Sequence, residues 1–152
     1  MKSILLVILF SAIINQLHAQ NTANAYDSVL AEKLHADSYG MKKYYLVILK
    51  TGPANITDSA KLDSIFSGHM KNIQWLASQN KMVVAGPLGK NDMQYEGIFI
   101  LNTDSKTEAE KMLATDPAVQ SKSLTAEYYL YYGSAALQEI PGIHDKIAKT
   151  HF

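Results

Sequence analysis

Cysteine is absent from this sequence, and so is arginine. Without cysteine the chain has no disulfide, no thiolate nucleophile and no acylated-cysteine lipid anchor, so its fold rests on its own core. Without arginine all 14 basic residues are lysines, and no guanidinium fork is present to grip a phosphate or carboxylate bidentately. The 14 basic residues are balanced by 14 acidic ones, which is no electrostatic footprint for nucleic acid. A glycine-rich phosphate loop, a pair of histidines at metal-binding spacing and a serine elbow are all missing. A long apolar run is missing too: Ile4 to Ile14 is about eleven residues, against the roughly 20 needed to span a bilayer.

What is there begins with a sorting signal. Lys2 supplies a positive n-region, Ile4 to Ile14 an apolar h-region, and Leu17-His18-Ala19 a small residue at the cut. Residues 1–19 read as a cleaved signal peptide of an exported bacterial protein, periplasmic or extracellular, with no membrane attachment after cleavage. Removing Lys2 leaves 13 lysines against 14 acidic residues, a net charge of −1. The remaining roughly 130 residues suit one domain.

Residues 20–42 read as an N-terminal extension, with Tyr26, Val29, Leu30 and Leu34 spaced for a short amphipathic helix ended by Gly40. Tyr44 to Lys50 reads as a strand stopped by Thr51-Gly52-Pro53. Asp58 or Ser59 caps a helix whose apolar stripe runs through Leu62, Ile65, Phe66, His69, Ile73 and Leu76. Met82 to Ala85 and Gly97 to Leu101 read as a hairpin, Thr103-Asp104-Ser105 caps a second helix through Leu113, and Asp116-Pro117 breaks it. Leu124 to Tyr132 is the last strand. The order β-α-β-β-α-β within residues 43–133 is the split βαβ arrangement of a ferredoxin-like α+β fold, with an antiparallel sheet and both helices on one face. Residues 134–152 form a C-terminal tail, wrapping a partner or left mobile.

The strands are apolar or aromatic at both parities, whereas a sheet wet on one side alternates. A second copy of the sheet is the simplest cover for the second face, at about 25 cal/mol per Å² of apolar surface removed from water. A homodimer with sheets packed face to face, a dimeric α+β barrel, is therefore expected. An aromatic ligand layer or the N-terminal segment are the other covers.

Of the histidines, His18 leaves with the signal, and His35, His144 and His151 sit in polar or terminal stretches without ligand spacing. His69 lies on the buried stripe of the first helix, seven residues from both Leu62 and Leu76. It is either a satisfied core histidine or a general acid or base, oriented by a carboxylate. Asp116 is the carboxylate at the right topological level, though its plain reading is a helix stop. Gly86-Pro87 is a strand-end turn, or a place where backbone approaches a ligand. Trp75 with Tyr128, Tyr129, Tyr131 and Tyr132 either stacks an aromatic ligand or serves core and interface. A metal or haem carrier using His69 alone would lack a second ligand. No cofactor and no metal are expected.

These pieces, taken in order, resemble the YCII-related (YciI-like) domain family over about Lys43 to Leu137. Gly68-His69-Met70-Lys71-Asn72-Ile73 and Lys81-Met82-Val83-Val84-Ala85-Gly86-Pro87-Leu88 are similar to its helix histidine and "aGPl" strand end. Gly97-Ile98-Phe99-Ile100, Thr107-Glu108-Ala109-Glu110 and Asp116-Pro117-Ala118-Val119 resemble its third strand, second helix and "DP" turn. The resemblance implies dimers of the dimeric α+β barrel type and an active-site His–Asp pair in a pocket, at His69 and Asp116. The chain departs from the family pattern at Gln120-Ser121-Lys122, where an Ala-Gly pair is common, and at Tyr129-Leu130-Tyr131-Tyr132-Gly133, where His-Pro-Trp-Tyr-Gly is common. The function this suggests is acid/base chemistry on a small cyclic or aromatic molecule by an exported protein. The rival is a non-catalytic dimeric module that binds a small molecule or only associates.

Overall fold

Caps and β-branched runs set the elements where the sequence predicts them. The computed structural model describes residues 26–150, so the expected signal segment 1–19 lies outside the described residues. The segment up to Leu30 and the chain from Ala31 onward are separate units, and the sheet and its helices belong to the second. Strand β1 is Met41–Thr51, helix α2 is Ser59–Ser78, β2 is Met82–Pro87, β3 is Tyr95–Leu101, α3 is Lys106–Leu113 and β4 is Leu124–Ser134. Helix α1, Ser28–Lys33, precedes them. A single turn, α4 (Pro117–Gln120), is inserted before β4, and a 3₁₀ turn (Ala135–Glu139) and α5 (Ile140–Ile147) follow it.

The cap chemistry is as expected at both main helices. The Asp58 side chain accepts from the Lys61 N–H at the start of α2, and Ser105 accepts from Glu108 N–H at the start of α3. The strands extend further than the apolar runs alone indicate, because ladder hydrogen bonds continue through polar residues once neighbours are aligned. The extension differs more. Its helix stops at Lys33, not Gly40, because His35 takes a left-handed backbone (φ 52°) and the Asp37 carboxylate accepts from the Tyr39 and Met41 N–H groups at 2.9 and 3.0 Å. That side-chain turn competes with helix and steers the chain into β1. Gly40, with φ 73°, is part of this turn.

The result is an α+β fold built on a four-stranded antiparallel sheet in the order β2-β3-β1-β4, compatible with a ferredoxin-like arrangement. Register decides the faces. Val47 lies opposite Phe99 and Tyr128, and this row, with Leu49 and Leu101, packs against Leu76 of α2 and Ala109 and Leu113 of α3. Each such fully buried aliphatic or aromatic side chain contributes about 1.5–3 kcal/mol. The opposite row puts Leu46 between Ile100 and Tyr129. Here the tail, expected to wrap a partner or stay mobile, instead folds on its own sheet: Leu137 of the 3₁₀ turn packs on Tyr44, Val83 and Ile100.

Tyr44 is fully buried beneath this tail, and its hydroxyl donates to the Ser134 carbonyl at 3.0 Å. Burial pushes its phenol above the ordinary tyrosine value. Gln138 latches the tail. Its amide nitrogen donates to the Leu34 and Ala135 carbonyls at 2.6 and 3.2 Å, and its oxygen accepts from Lys42 Nζ and Asn102 Nδ2, both at 3.3 Å. Among the described residues no helix is long and apolar enough to cross a membrane.

Candidate active site

Helix α2 carries His69 at its middle on the face turned to the sheet, and the turn after α3 carries Asp116. Forty-seven positions apart in sequence, they meet with His69 Nδ1 2.7 Å from Asp116 Oδ2. Asp116 is fully buried and His69 is 8% exposed. A buried carboxylate needs partners for both oxygens, and Asp116 has them: Oδ1 accepts from the Ala118 N–H at 2.8 Å, capping α4, while Oδ2 takes the imidazole. Pro117 sits at the first position of that turn, where its missing N–H costs nothing. The helix stop read from Asp116-Pro117 and the catalytic reading are thus served by two different oxygens of one side chain.

Three adjacent contacts bring α2 to this turn. Gly68 meets Pro117 so closely that a Cβ on Gly68 would stand 2.8 Å from the proline Cγ. His69 bonds Asp116. One turn further along α2, the Asn72 side-chain oxygen lies 3.0 Å from the Thr115 hydroxyl, which also donates to the Met112 carbonyl at 2.7 Å. Residues 68, 69 and 72 therefore meet 117, 116 and 115 in turn.

The bond fixes the imidazole tautomer. A carboxylate only accepts, so Nδ1 carries the hydrogen and, in a neutral ring, Nε2 carries the lone pair. Among the described residues the sealed side-chain polar atoms without partners are Asn72 Nδ2 and Asn102 Oδ1. The His69 side chain keeps 10% of its surface exposed. The ring is flanked by Phe66, edge-on at 6.0 Å between centroids, and by Phe99, tilted at 6.0 Å. A histidine so held, with one nitrogen oriented by a carboxylate, can accept or deliver a proton at Nε2.

Gly86 and Pro87 lie in β2, and register separates them. Pro87 pairs with Gly97 and Gly86 with Ile98; Ile98 pairs in turn with Ile48, on the face away from His69. A Cβ at Gly86 would meet no atom within 4 Å, so this glycine is not required by neighbours in its own chain. Trp75 is half-exposed with Lys81 Nζ 5.3 Å above its ring. Sequence reasoning did not single out Gly68, Asn72 or Thr115. The small residue beside the stripe histidine and the threonine before Asp-Pro are the only signals there were. Among the described residues no group of three or more His, Cys, Asp or Glu side chains is gathered to hold a metal ion. No protein-family model matches the chain, and no curated protein matches it.

Proposed function

We infer that the chain is an exported member of the YCII-related family and that His69 acts through Nε2 as general acid or base on a small cyclic or aromatic molecule. Asp116 orients the imidazole and stabilises its protonated form. The observation that carries the reading is the 2.7 Å bond from His69 Nδ1 to a fully buried carboxylate, on a histidine whose side chain keeps 10% of its surface exposed. The apolar rings beside it favour an apolar or planar substrate over an anionic one, in line with a chain that has no arginine.

The working unit in this reading is a homodimer whose sheets meet through the face of Leu46, Ile48 and Ile98. Supporting it, these side chains remain partly exposed although Leu137 already covers the neighbouring Tyr44, Val83 and Ile100.

The test is a panel of cyclic enones, lactones and hydroxylated or chlorinated aromatics, followed by NMR for turnover and for solvent-deuterium incorporation. Turnover by the wild type that falls at least about 100-fold in folded His69→Gln, the low end of a general acid or base contribution, supports the reading. Ligands that shift the His69 ring resonances without any turnover would leave only the binding module. No shift at His69 from any compound would remove both.

A further inference from the structure

The two edges of the sheet are built differently. The β2 edge is six residues long, its register shifts between Met82 and Val84, and it ends in Gly86-Pro87. Short length, a bulge and proline are the devices that keep an edge from pairing with another chain. The β4 edge has none of them. It is eleven residues long, pairs with β1 without a register shift, and contains neither lysine nor proline. Its one charge, Glu127, is tied to Lys50 Nζ at 3.1 Å and to the Tyr129 hydroxyl at 2.9 Å. Among the described residues, no backbone outside β1 is hydrogen-bonded along β4. Four consecutive large residues of this strand, Tyr129, Leu130, Tyr131 and Tyr132, are 47, 59, 36 and 50% exposed.

We propose that the free edge of β4 pairs with β4 of a second copy, antiparallel about a two-fold axis midway between Leu130 and the partner's Leu130, joining two sheets into one of eight strands. The occupant is a second copy because the surface complements itself. Directly opposed residues of an antiparallel pair share a face, so a two-fold axis perpendicular to the sheet must pass midway between a residue and its own mate. With Leu130 opposite the partner's Leu130, Tyr129 stands opposite the partner's Tyr131 and Tyr128 opposite the partner's Tyr132, each twice, and cross-strand aromatic pairs of this kind stabilise sheets. The same register sets Glu127 against the partner's Gly133, whereas an axis at Glu127 would oppose two carboxylates. With side chains of roughly 150–250 Å² about half exposed, the four residues offer roughly 400 Å² per copy. That is about half of the roughly 800 Å² per partner of a standard interface. Tyr129 and Tyr131 stand on the same sheet face as Leu46 and Ile48, but the edge pairing runs through the β4 backbone, and it holds or fails independently of the His69 chemistry.

The chain's lack of cysteine makes the test direct. Residues opposed across an antiparallel pair have Cα atoms about 4.5 or 5.5 Å apart, within the roughly 4.4–6.8 Å a disulfide spans. Leu130→Cys in the full chain is expected to form a disulfide dimer under mild oxidation. Tyr128→Cys and Tyr132→Cys are expected to cross-link when mixed, and far less when each is alone. Leu130→Lys, which adds the missing guard at an already exposed position, is expected to raise the dimer dissociation constant at least about tenfold in sedimentation equilibrium. Ile48→Lys, on β1 and so off the β4 edge, separates the two interfaces, since it dissociates a face-to-face dimer and leaves an edge-paired one. A monomeric wild type overturns the proposal. So does a dimer abolished by Ile48→Lys in which Leu130→Cys stays reduced, an outcome that leaves the face-to-face dimer standing.

Discussion

Gly68 and Pro117 touch: the glycine has no side chain because the proline ring occupies the place where one would go, with its Cγ 2.8 Å from the position of a Cβ. One residue along on each segment, His69 and Asp116 make their 2.7 Å bond. The close approach and the candidate chemistry are therefore parts of one contact.

Gly68→Ala tests that coupling. Within a helix, alanine is favoured over glycine by about 1 kcal/mol, but overpacking against the proline ring costs about 1–3 kcal/mol. A net loss of stability of about 1 kcal/mol is expected, together with a change in the His69 ring chemical shifts. Adding Pro117→Ala removes the obstructing Cγ and is expected to restore both, giving a favourable coupling in a double-mutant cycle measured by urea denaturation. Additive losses would show that the contact does not position the pair.

Asp116 serves two partners, and two substitutions separate them. Asp116→Asn retains an oxygen for the Ala118 N–H, while Asp116→Ala loses this cap as well as the histidine's partner. The cap is worth about 1 kcal/mol, and a buried group left unpaired costs about 1–3 kcal/mol. Thermal and urea unfolding should thus rank wild type above Asn above Ala, with Ala about 2–4 kcal/mol below wild type. In Asp116→Asn, nitrogen NMR should also show the Nδ1–H tautomer of His69 losing its dominance.

Gln138 uses both donors and its oxygen to hold the tail, so Gln138→Ala should release it. At about 1 kcal/mol net per hydrogen bond, a loss of about 1–2 kcal/mol is expected. It should be concentrated locally: the Ala135 N–H, bonded to the Gly40 carbonyl at 2.9 Å, should exchange faster with solvent while core amides of β1 are unchanged. Uniform acceleration of all amides would show that the tail and the sheet open together.

The Tyr132 hydroxyl donates to Asp37, and with the Met41 and Tyr39 N–H groups it holds the Asp37 carboxyl below the usual carboxylate value. A depressed folded-state pKa adds stability that is present above the ordinary carboxylate range and is lost as pH falls through the folded value. Tyr132→Phe should therefore lower stability at neutral pH, with the difference from wild type shrinking as the solution is acidified below about pH 4. Denaturation midpoints measured across this range would show it; a difference independent of pH would assign the loss to packing instead.

Much of the fold was legible because the signals are local. The stripe from Leu62 to Leu76 and the Asp58 cap place α2, Ser105 places α3, and Asp116-Pro117 stops it. The end of the extension's helix at Lys33 is not legible in the sequence, since the Asp37 side-chain turn competes with the helix in a way that apolar spacing does not register. The tail was open for a similar reason: Leu137 is one apolar residue among several, and only the sheet face beneath it decides where it packs.

For the site, the sequence by itself determined that a histidine would lie on the buried face of the first long helix and that a carboxylate would stand at the start of a turn. Periodicity and capping are properties of a few neighbouring residues, so they survive in one dimension. Only the tertiary structure decided that the two meet, that Gly68 lets them, and that Gly86 faces away. Those outcomes depend on how the helices cross the sheet and on the parity of strand register, and both are set by contacts between segments far apart in the chain.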